Sequence, residues 1–144
     1  MLPPMAVTDF ETKVGVIVRG DLASWQRLNV CAFLISGVIG AAGHDAIGDD
    51  YLDADGNRYM ALLVQPVLVF EATADKLKTV RERAKRRQIP IALYTMEMFS
   101  TGHDAANRAA VRAVAAADLD LVGIALRAPH RDADAILRGL SRHP

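Results

Sequence analysis

An apolar run near the N-terminus, interrupted once by a polar connection, constrains the fold more than any other stretch of this chain. Residues 14–18 are all non-polar and lie between charges, which predicts a strand over Lys13–Arg19 that is buried on both faces. The apolar segment Leu28–Ala42 predicts a buried helix. The connection between them, Arg19–Asn29, is polar and carries Trp25. Because open α/β sheets bind ligands outside the carboxyl ends of their strands, we expect this connection to form one wall of a site.

The rest of the chain alternates between strand and helix patterns. Further strands are predicted at 67–72, 91–99 and 119–126, and further helices at 74–88, 105–117 and from Pro129 onwards. This alternation predicts an α/β fold, with a mixed or mostly parallel sheet covered by helices. Asp104 is expected to cap the third helix, and Gly123 to mark either a close backbone approach or a bulge. A chain of 144 residues suits one domain, so we expect a tail over residues 1–12 and a single α/β domain over residues 13–144.

The charge balance argues against general nucleic-acid binding. Lys plus Arg and Asp plus Glu both number 17, so no net field attracts polyphosphate. The helix at 76–87 is rich in Lys and Arg and is the one local exception. Without interleaved aromatic residues, this surface is better interpreted as a solvated helix face than as an RNA or phosphate site.

The sequence also predicts a cytoplasmic protein that is not associated with a membrane. The apolar segment Leu28–Ala42 has about fifteen residues, too few to cross a hydrocarbon layer ~30 Å thick. The first residues show no basic region followed by an apolar one, as a signal peptide would. Cys31 is the single cysteine and lies in the apolar segment, which indicates a structural thiol in a reducing compartment.

Residues 43–58 have the composition of turns, and we interpret them as a surface excursion. The aspartates between positions 45 and 55 suggest a calcium loop. Aligning Gly56 with the glycine of such a loop, however, places Tyr51 at the first ligand position and Leu62 at the bidentate glutamate position. An ordinary Asp-Gly turn is therefore the better interpretation.

The common catalytic motifs are missing from the sequence, and its histidines do not have metal-ligand spacing, so we expect neither a metal nor a cofactor. His103 stands beside Asp104 and near Glu97, which makes His103 and Glu97 the candidate catalytic groups. The alternative for His103 is a surface histidine before a helix cap. Arg19 and Asp21 are interpreted as a local ion pair or, alternatively, as an anion anchor.

Several ordered segments resemble the bacterial family called domain of unknown function 2000. They begin with the segment 13–22 and the segment 25–34, and continue downstream with 66–70, 84–90, 94–101 and 121–126. The resemblance covers nearly all of the chain after residue 12. That family is similar in fold to the archaeal and eukaryotic type of peptidyl-tRNA hydrolase. The resemblance implies a three-layer sandwich in which helices cover both faces of a four-stranded mixed sheet, and a homodimer.

The resemblance does not carry the hydrolase activity over. The hydrolase has a Gly-Lys pair at the start of its first helix, and Leu28 and Asn29 stand at the matching positions here. Its aspartate corresponds to about Met96 or Glu97, and only Ser100 or Thr101 is available to replace its hydroxyl.

The sequence therefore predicts a protein that binds a small ligand or a protein partner in a cleft at the ends of the first and third strands. The candidate binding residues are Arg19, Asp21, Trp25, Asn29 and Thr101. The alternative is a hydrolase of ester or amide bonds, in which Glu97 or His103 acts as general base and Asn29 holds an oxyanion.

Overall fold

The computed structural model describes residues 11–144, so most of the predicted tail over residues 1–12 lies outside the described residues. The strands are β1 (Thr12–Arg19), β2 (Tyr51–Leu52), β3 (Arg58–Tyr59), β4 (Val67–Ala72), β5 (Ala92–Thr95), β6 (Leu121–Pro129) and β7 (Ser141–Arg142). The helices are α1 (Ser24–Ala42), α2 (Ala74–Arg86), α3 (Asp104–Arg112) and α4 (His130–Leu137). Short 3-10 turns cover Gly43–Ala46, Met96–Ser100 and Ala116–Asp118.

A mixed sheet with the strand order β5-β6-β1-β4-β7 forms the centre of the fold. β1 pairs in parallel with β4 and antiparallel with β6, while β5 and β7 pair antiparallel with β6 and β4. The predicted α/β class and mixed sheet are confirmed. The predicted number of four strands is wrong, because the sheet has five. After α4, Gly139 adopts a φ of 83°, and the chain turns back so that Ser141 and Arg142 pair with Glu71 and Phe70.

Helices cover both faces of the sheet, as predicted. Val14, Val16 and Val18 of β1 pack on one face, against Val30, Leu34 and Val38 of α1. On the opposite face, Ile17 belongs to a core with residues of α2 and α4. This face also includes the buried residues Leu77, Val80, Ala84, Ala133, Ile136 and Leu137. The period-two alternation of β1 thus distributes its side chains between two cores.

Several element boundaries differ from the predicted ones. α1 begins at Ser24 rather than Leu28, because the Gln26 side chain accepts a hydrogen bond from the N–H of Ala23 (3.0 Å) and starts the helix early. The third helix is capped by His103, whose Nδ1 accepts from the N–H of Ala106, and not by Asp104. β6 continues to Pro129, which is therefore both the last residue of this strand and the N-cap of α4, one residue before the helix begins at His130.

The excursion predicted at residues 43–58 contains regular structure. After a 3-10 turn, β2 and β3 form a two-stranded antiparallel ribbon in which Tyr51 pairs with Tyr59 and Leu52 with Arg58. Asp53 closes its turn by accepting hydrogen bonds from the N–H groups of Asp55 and Asn57 (both 2.9 Å). The predicted Asp-Gly turn is thus the tip of a hairpin.

Two arginines of the basic surface on α2 hold α4 in place. Arg83 donates to the carbonyl oxygens of Ile136 (3.2 Å) and Arg138 (2.8 Å), and Arg87 pairs with Asp132 at 3.0 Å. This part of the basic surface therefore stabilises the contact with α4, whereas the sequence predicted only a solvated helix face.

Arg19 connects the end of β1 to the start of β6. Its guanidinium donates to Asp120 (2.6 Å), to the carbonyl oxygen of Leu121 (3.1 Å) and to Asp21 (2.7 Å). Only 8% of Arg19 is exposed. Burial on its own would lower the pKa of Arg19, but the hydrogen bonds to Asp120 and Asp21 outweigh it and raise that pKa. The predicted local ion pair between Arg19 and Asp21 is present, as part of a larger network.

Gly123 of β6 allows α1 to pack directly on the sheet. A Cβ atom at this position would overlap the Val30 side chain and lie 2.9 Å from Leu34 Cδ1. Of the two predictions for Gly123, the close approach is present as side chains of α1 packed on this residue, and the bulge as a register shift in the pairing of β5 with β6 beside it.

We predict that Gly123→Ala lowers the free energy of unfolding by about 1–3 kcal/mol, because the added methyl group overpacks the α1 interface. Chemical denaturation measures this change. Adding Val30→Ala should relieve the overlap, so the double variant should lose less than the sum of the single losses. The control is Gly40→Ala on α1, where nothing lies within 4 Å, and it should leave stability unchanged or slightly raised. Additive losses at Gly123 and Val30 would contradict this account.

We predict that Asp120→Ala lowers the free energy of unfolding by about 1–3 kcal/mol, because it removes a charged partner from the buried Arg19 guanidinium. The matched control is Asp118→Ala, an exposed aspartate two residues earlier, which should change stability by less than ~0.5 kcal/mol. Urea unfolding measures both changes. Equal losses in the two variants would show that the Arg19 network does not stabilise the contact between the end of β1 and the start of β6.

Candidate functional site

The topology separates the two connections that were predicted to form one cleft. β5 is antiparallel to β6, which is antiparallel to β1, so the carboxyl ends of β1 and β5 lie at the same edge of the sheet. β6 nevertheless stands between them, which places these ends two strand spacings, about 10 Å, apart.

Trp25 and Phe99 bridge the gap between the two connections. Their ring centroids are 5.9 Å apart at an interplanar angle of 71°, and Phe99 also packs on Tyr94 with centroids 5.1 Å apart. The Trp25–Phe99 pair thus has the edge-to-face geometry that aromatic pairs prefer. The surface is therefore divided into two separate hollows, with the aromatic contact between them, and each hollow contains some of the predicted residues.

The first hollow, which we call the β5 groove, runs along the outer edge of the sheet beside β5, between α1 and α3, and has a volume of about 820 Å³. Its floor and walls are apolar: Phe33, Leu34, Ala92, Leu93, Tyr94, Met98 and Val111. Its rim is mainly polar: Thr101, Gly102, His103, Asp104, Asn107, Arg108 and Arg112. Two predicted site residues, Thr101 and His103, belong to it.

The local sequence explains why the groove exists. β5 is an edge strand, so no further strand covers its outer side. α1 packs on one face of the sheet, while Val111 of α3 and Val114, two residues after α3, pack against the core on the other face. Phe33 leans on Tyr94 across the edge, with centroids 6.0 Å apart. The two helices therefore form walls on either side of the edge strand.

His103 has a structural role at the groove. Its Nδ1 accepts a hydrogen bond from the N–H of Ala106 (3.2 Å), so in the neutral ring the proton is assigned to Nε2. In this state the free ring nitrogen is a donor, whereas a general base must accept a proton. The interpretation of His103 as a histidine at a helix cap is thus the one its hydrogen bond favours.

The other polar groups on the rim are ordered by hydrogen bonds. Thr101 donates to the carbonyl oxygen of Met98 (2.9 Å), and its hydroxyl oxygen also contacts the side-chain amide of Asn107. The contacted atom of Asn107 is its Oδ1, an acceptor like the carbonyl oxygen of Met98, so the Thr101 hydroxyl is the donor to both. Arg108 pairs with Asp104 one helical turn away, and Arg112 makes no ion pair within residues 11–144. The rim thus carries one net positive charge.

The second hollow, which we call the β1–β4 crevice, has a volume of about 770 Å³ and lies at the carboxyl ends of the parallel pair β1 and β4. α1 and α2 leave these strands toward opposite faces, which makes this the topological switch point of the sheet. The crevice contains Arg19 and Asp21 among the predicted residues, and Glu71, Thr73, Lys76 and Ser141 among those not predicted. The positive charge of the Arg19 guanidinium is already balanced by two carboxylates, which disfavours it as the anchor of a further anion.

Asn29 and Glu97 line neither hollow. The Asn29 amide donates to the carbonyl oxygen of Trp25 (3.1 Å) on the exposed side of α1, and Glu97 is exposed in the turn after β5. The structure thus groups Thr101 with His103 and Arg19 with Asp21, and leaves these two residues outside both groups.

Sequence reasoning missed most of the groove, although one signal was available. Asp104, Asn107, Arg108 and Val111 recur at i, i+3, i+4 and i+7, so they share one face of α3 directly after the predicted polar connection. Phe33 and Tyr94 carried no such signal, because apolar residues in a helix and a strand are ordinarily part of the core.

Cysteine and metal chemistry add little to this site. Burial raises the pKa of the Cys31 thiol, which disfavours a reactive thiolate. Within the described part of the chain, no group of three or more His, Cys, Asp or Glu side chains is arranged to hold a metal ion.

Comparison with known proteins places the chain in a family. A family model described as "Protein of unknown function (DUF2000)" matches residues 12–144. A solved structure, of the protein of unknown function Atu0240 from Agrobacterium tumefaciens strain C58, is 43% identical and superposes with a TM-score of 0.90 over 94% of this chain and 99% of that one. A search of curated proteins gave no match. With nearly the whole described chain matched, this protein belongs to the DUF2000 family.

Proposed function

We propose that the protein binds a small amphipathic ligand, with an apolar body and an anionic end, in the β5 groove. The observation that carries this proposal is the composition of the groove, an apolar floor with polar side chains collected along its rim. Its volume of about 820 Å³ falls within the range typical of small-molecule sites.

The apolar floor suits an aromatic or aliphatic group. Phe33 and Tyr94 meet at an angle of 52°, and Met98, a flexible side chain that adapts to ligand shape, lies beside them. Desolvation raises the pKa of Tyr94, so its ring stays neutral at physiological pH. Water displaced from this surface would favour binding of an apolar body.

The polar rim favours a negative charge on the ligand. Arg108 and Arg112 lie on the same side of α3 as Asp104, which leaves one positive charge in excess. The Nε2–H of His103 adds a neutral donor at the start of the same helix. A carboxylate or sulfonate is the ligand group that matches these donors.

Hydrolysis of an ester or amide bond is the alternative function, and it is also what a peptidyl-tRNA-hydrolase-like fold would suggest. It requires Glu97 or His103 to activate water while Asn29 holds an oxyanion. Asn29 and Glu97 lie outside the groove, and the Nδ1 of His103 is engaged by the backbone, so we prefer binding. A protein partner at the predicted cleft is less favoured, since Trp25 and Phe99 occupy the space between the two connections.

We predict that 8-anilinonaphthalene-1-sulfonate, which joins an aromatic body to a sulfonate, binds the groove and gains fluorescence. Phe33→Ala removes an apolar wall and should weaken binding about fivefold, and Arg112→Ala removes a rim charge and should weaken it at least about threefold. A fluorescence titration of each variant measures these affinities.

Two surface variants act as matched controls for this titration. Leu28→Ala removes an exposed apolar side chain from the same helix as Phe33, and Arg86→Ala removes an exposed arginine from α2. Both should leave the affinity within about twofold of the unchanged protein. An equal loss in Phe33→Ala and Leu28→Ala would contradict binding in the groove.

We predict that the purified protein does not hydrolyse peptidyl-tRNA. Turnover that is abolished by Asn29→Ala and retained by Ser24→Ala, a change at an exposed polar residue of α1, would replace our proposal with the hydrolase alternative. The assay follows release of the peptide from N-blocked aminoacyl-tRNA.

A further inference from the structure

The hairpin between α1 and β4 has apolar side chains that nothing in the described chain covers. We call residues 48–64 the arm. Its exposed apolar residues are Tyr51, Leu52, Tyr59, Met60, Leu62 and Val64, with exposed fractions from 41% to 89%. Side chains alternate between the two faces of a hairpin, so Tyr51 and Tyr59 lie on one face of the arm, and Leu52, Met60 and Leu62 on the other. Apolar groups are thus exposed on both of its faces.

The arm is nevertheless held by hydrogen bonds at its base and at its tip. The main chain of Gly48 donates to Leu62 and that of Val64 to Ala46, so the base of the arm is fixed at the end of α1. At the tip, Asp53 accepts hydrogen bonds from Tyr59 Oη (2.7 Å) and Asn57 Nδ2 (3.0 Å), and these bonds, with those from the backbone, lower the pKa of Asp53 to about 2. An isolated two-stranded hairpin is only marginally stable in water. A surface packed on the exposed part of the arm would therefore stabilise it.

α1 offers a surface of matching character. The helical segment Ser24–Ala46 is longer than the fifteen apolar residues counted from sequence, and by length and composition alone its 23 residues are sufficient to span a membrane. Only 17% of its apolar window is buried. On the side away from the sheet, Trp25 is 59% and Leu28 is 73% exposed. The small residues Ala32, Ser36 and Gly40 continue that side, and α1 has no charge beyond Arg27. We call this side the outer face of α1.

We propose that two copies of this chain associate about a two-fold axis, with the arm of each copy packed on the outer face of α1 of the other. The eight large apolar side chains on the arm and the outer face, three of them aromatic, together expose on the order of 1,000 Å² per copy. One face of the arm packs on α1, so part of this apolar area is buried together with the polar side chains around it. A standard interface buries about 800 Å² per partner, polar area included, and the area available is of that order.

Length and charge also favour a second copy. The arm extends about seven residues at ~3.3 Å each, close to the length of nineteen helical residues at ~1.5 Å each.

A membrane is a poorer occupant, because Asp49, Asp53 and Asp55 stand among the apolar residues of the arm and would be repelled by anionic lipid. Val30, Leu34 and Val38 are also fixed in the core, so α1 cannot leave the sheet without exposing them.

Sedimentation equilibrium tests this proposal. The unchanged protein should have about twice the chain mass of 15.6 kDa. Met60→Asp on the arm and Leu28→Asp on α1 should each weaken the dimer at least about tenfold, since each places a charge in the apolar interface. Both side chains are exposed in the single chain, so thermal unfolding should show that the variants remain folded. Ala117→Asp, an exposed position after α3, is the control and should remain dimeric.

Other outcomes would overturn the proposal. A monomeric unchanged protein, or a dimer that survives both variants, excludes this interface. Loss of the dimer with Leu28→Asp but not with Met60→Asp would indicate contact between the helices without exchange of arms. Monomers that sediment with anionic phosphatidylserine vesicles would indicate that lipid covers the face. None of these results depends on ligand binding in the β5 groove, which Phe33→Ala tests separately.

Discussion

The burial of β1 on both of its faces is the constraint on which the rest of this structure depends. Its three valines require one apolar layer, which α1 supplies, and Ile17 requires another on the opposite face, supplied by α2 and α4. Because β4 and β6 pair with its two edges, β1 is also the middle strand of five. The outer strand β5 is then left with one open edge between helices on different faces, and the groove follows from that arrangement.

The insertion of β6 between β1 and β5 decides where a site can form. β6 brings Asp120 to the Arg19 guanidinium. This ion pair neutralises the positive charge that the end of β1 would otherwise present to a ligand. β6 also moves the connection after β5 away from the connection after β1, so that only Trp25 and Phe99 reach across. The polar residues that follow β5 face the edge of the sheet, together with α3, and there they meet an apolar floor.

Much of the fold could be predicted from sequence because its signals are local. Five non-polar residues identify β1, and the absence of a side chain at Gly123 identifies the close packing of α1. β7 could not be predicted, because two residues form no pattern and their pairing depends on the turn at Gly139. Strand order is likewise not encoded locally, so the sequence does not show which helices flank β5. Thr101 and His103 could be predicted because they follow β5 directly in sequence. Phe33 and Arg112 reach the groove from α1 and α3, and they could not be predicted.

The central claim is that the β5 groove, and not the β1–β4 crevice, is the ligand site. The most direct measurement is a titration of 15N-labelled protein with 8-anilinonaphthalene-1-sulfonate, followed by 1H–15N correlation spectra. Our account predicts saturable shifts confined to the amides of β5, of residues 33–34 and of residues 98–112, with those of residues 19–21 and 71–76 unchanged. Saturable shifts centred on the crevice, or on the arm and the outer face of α1, would contradict it.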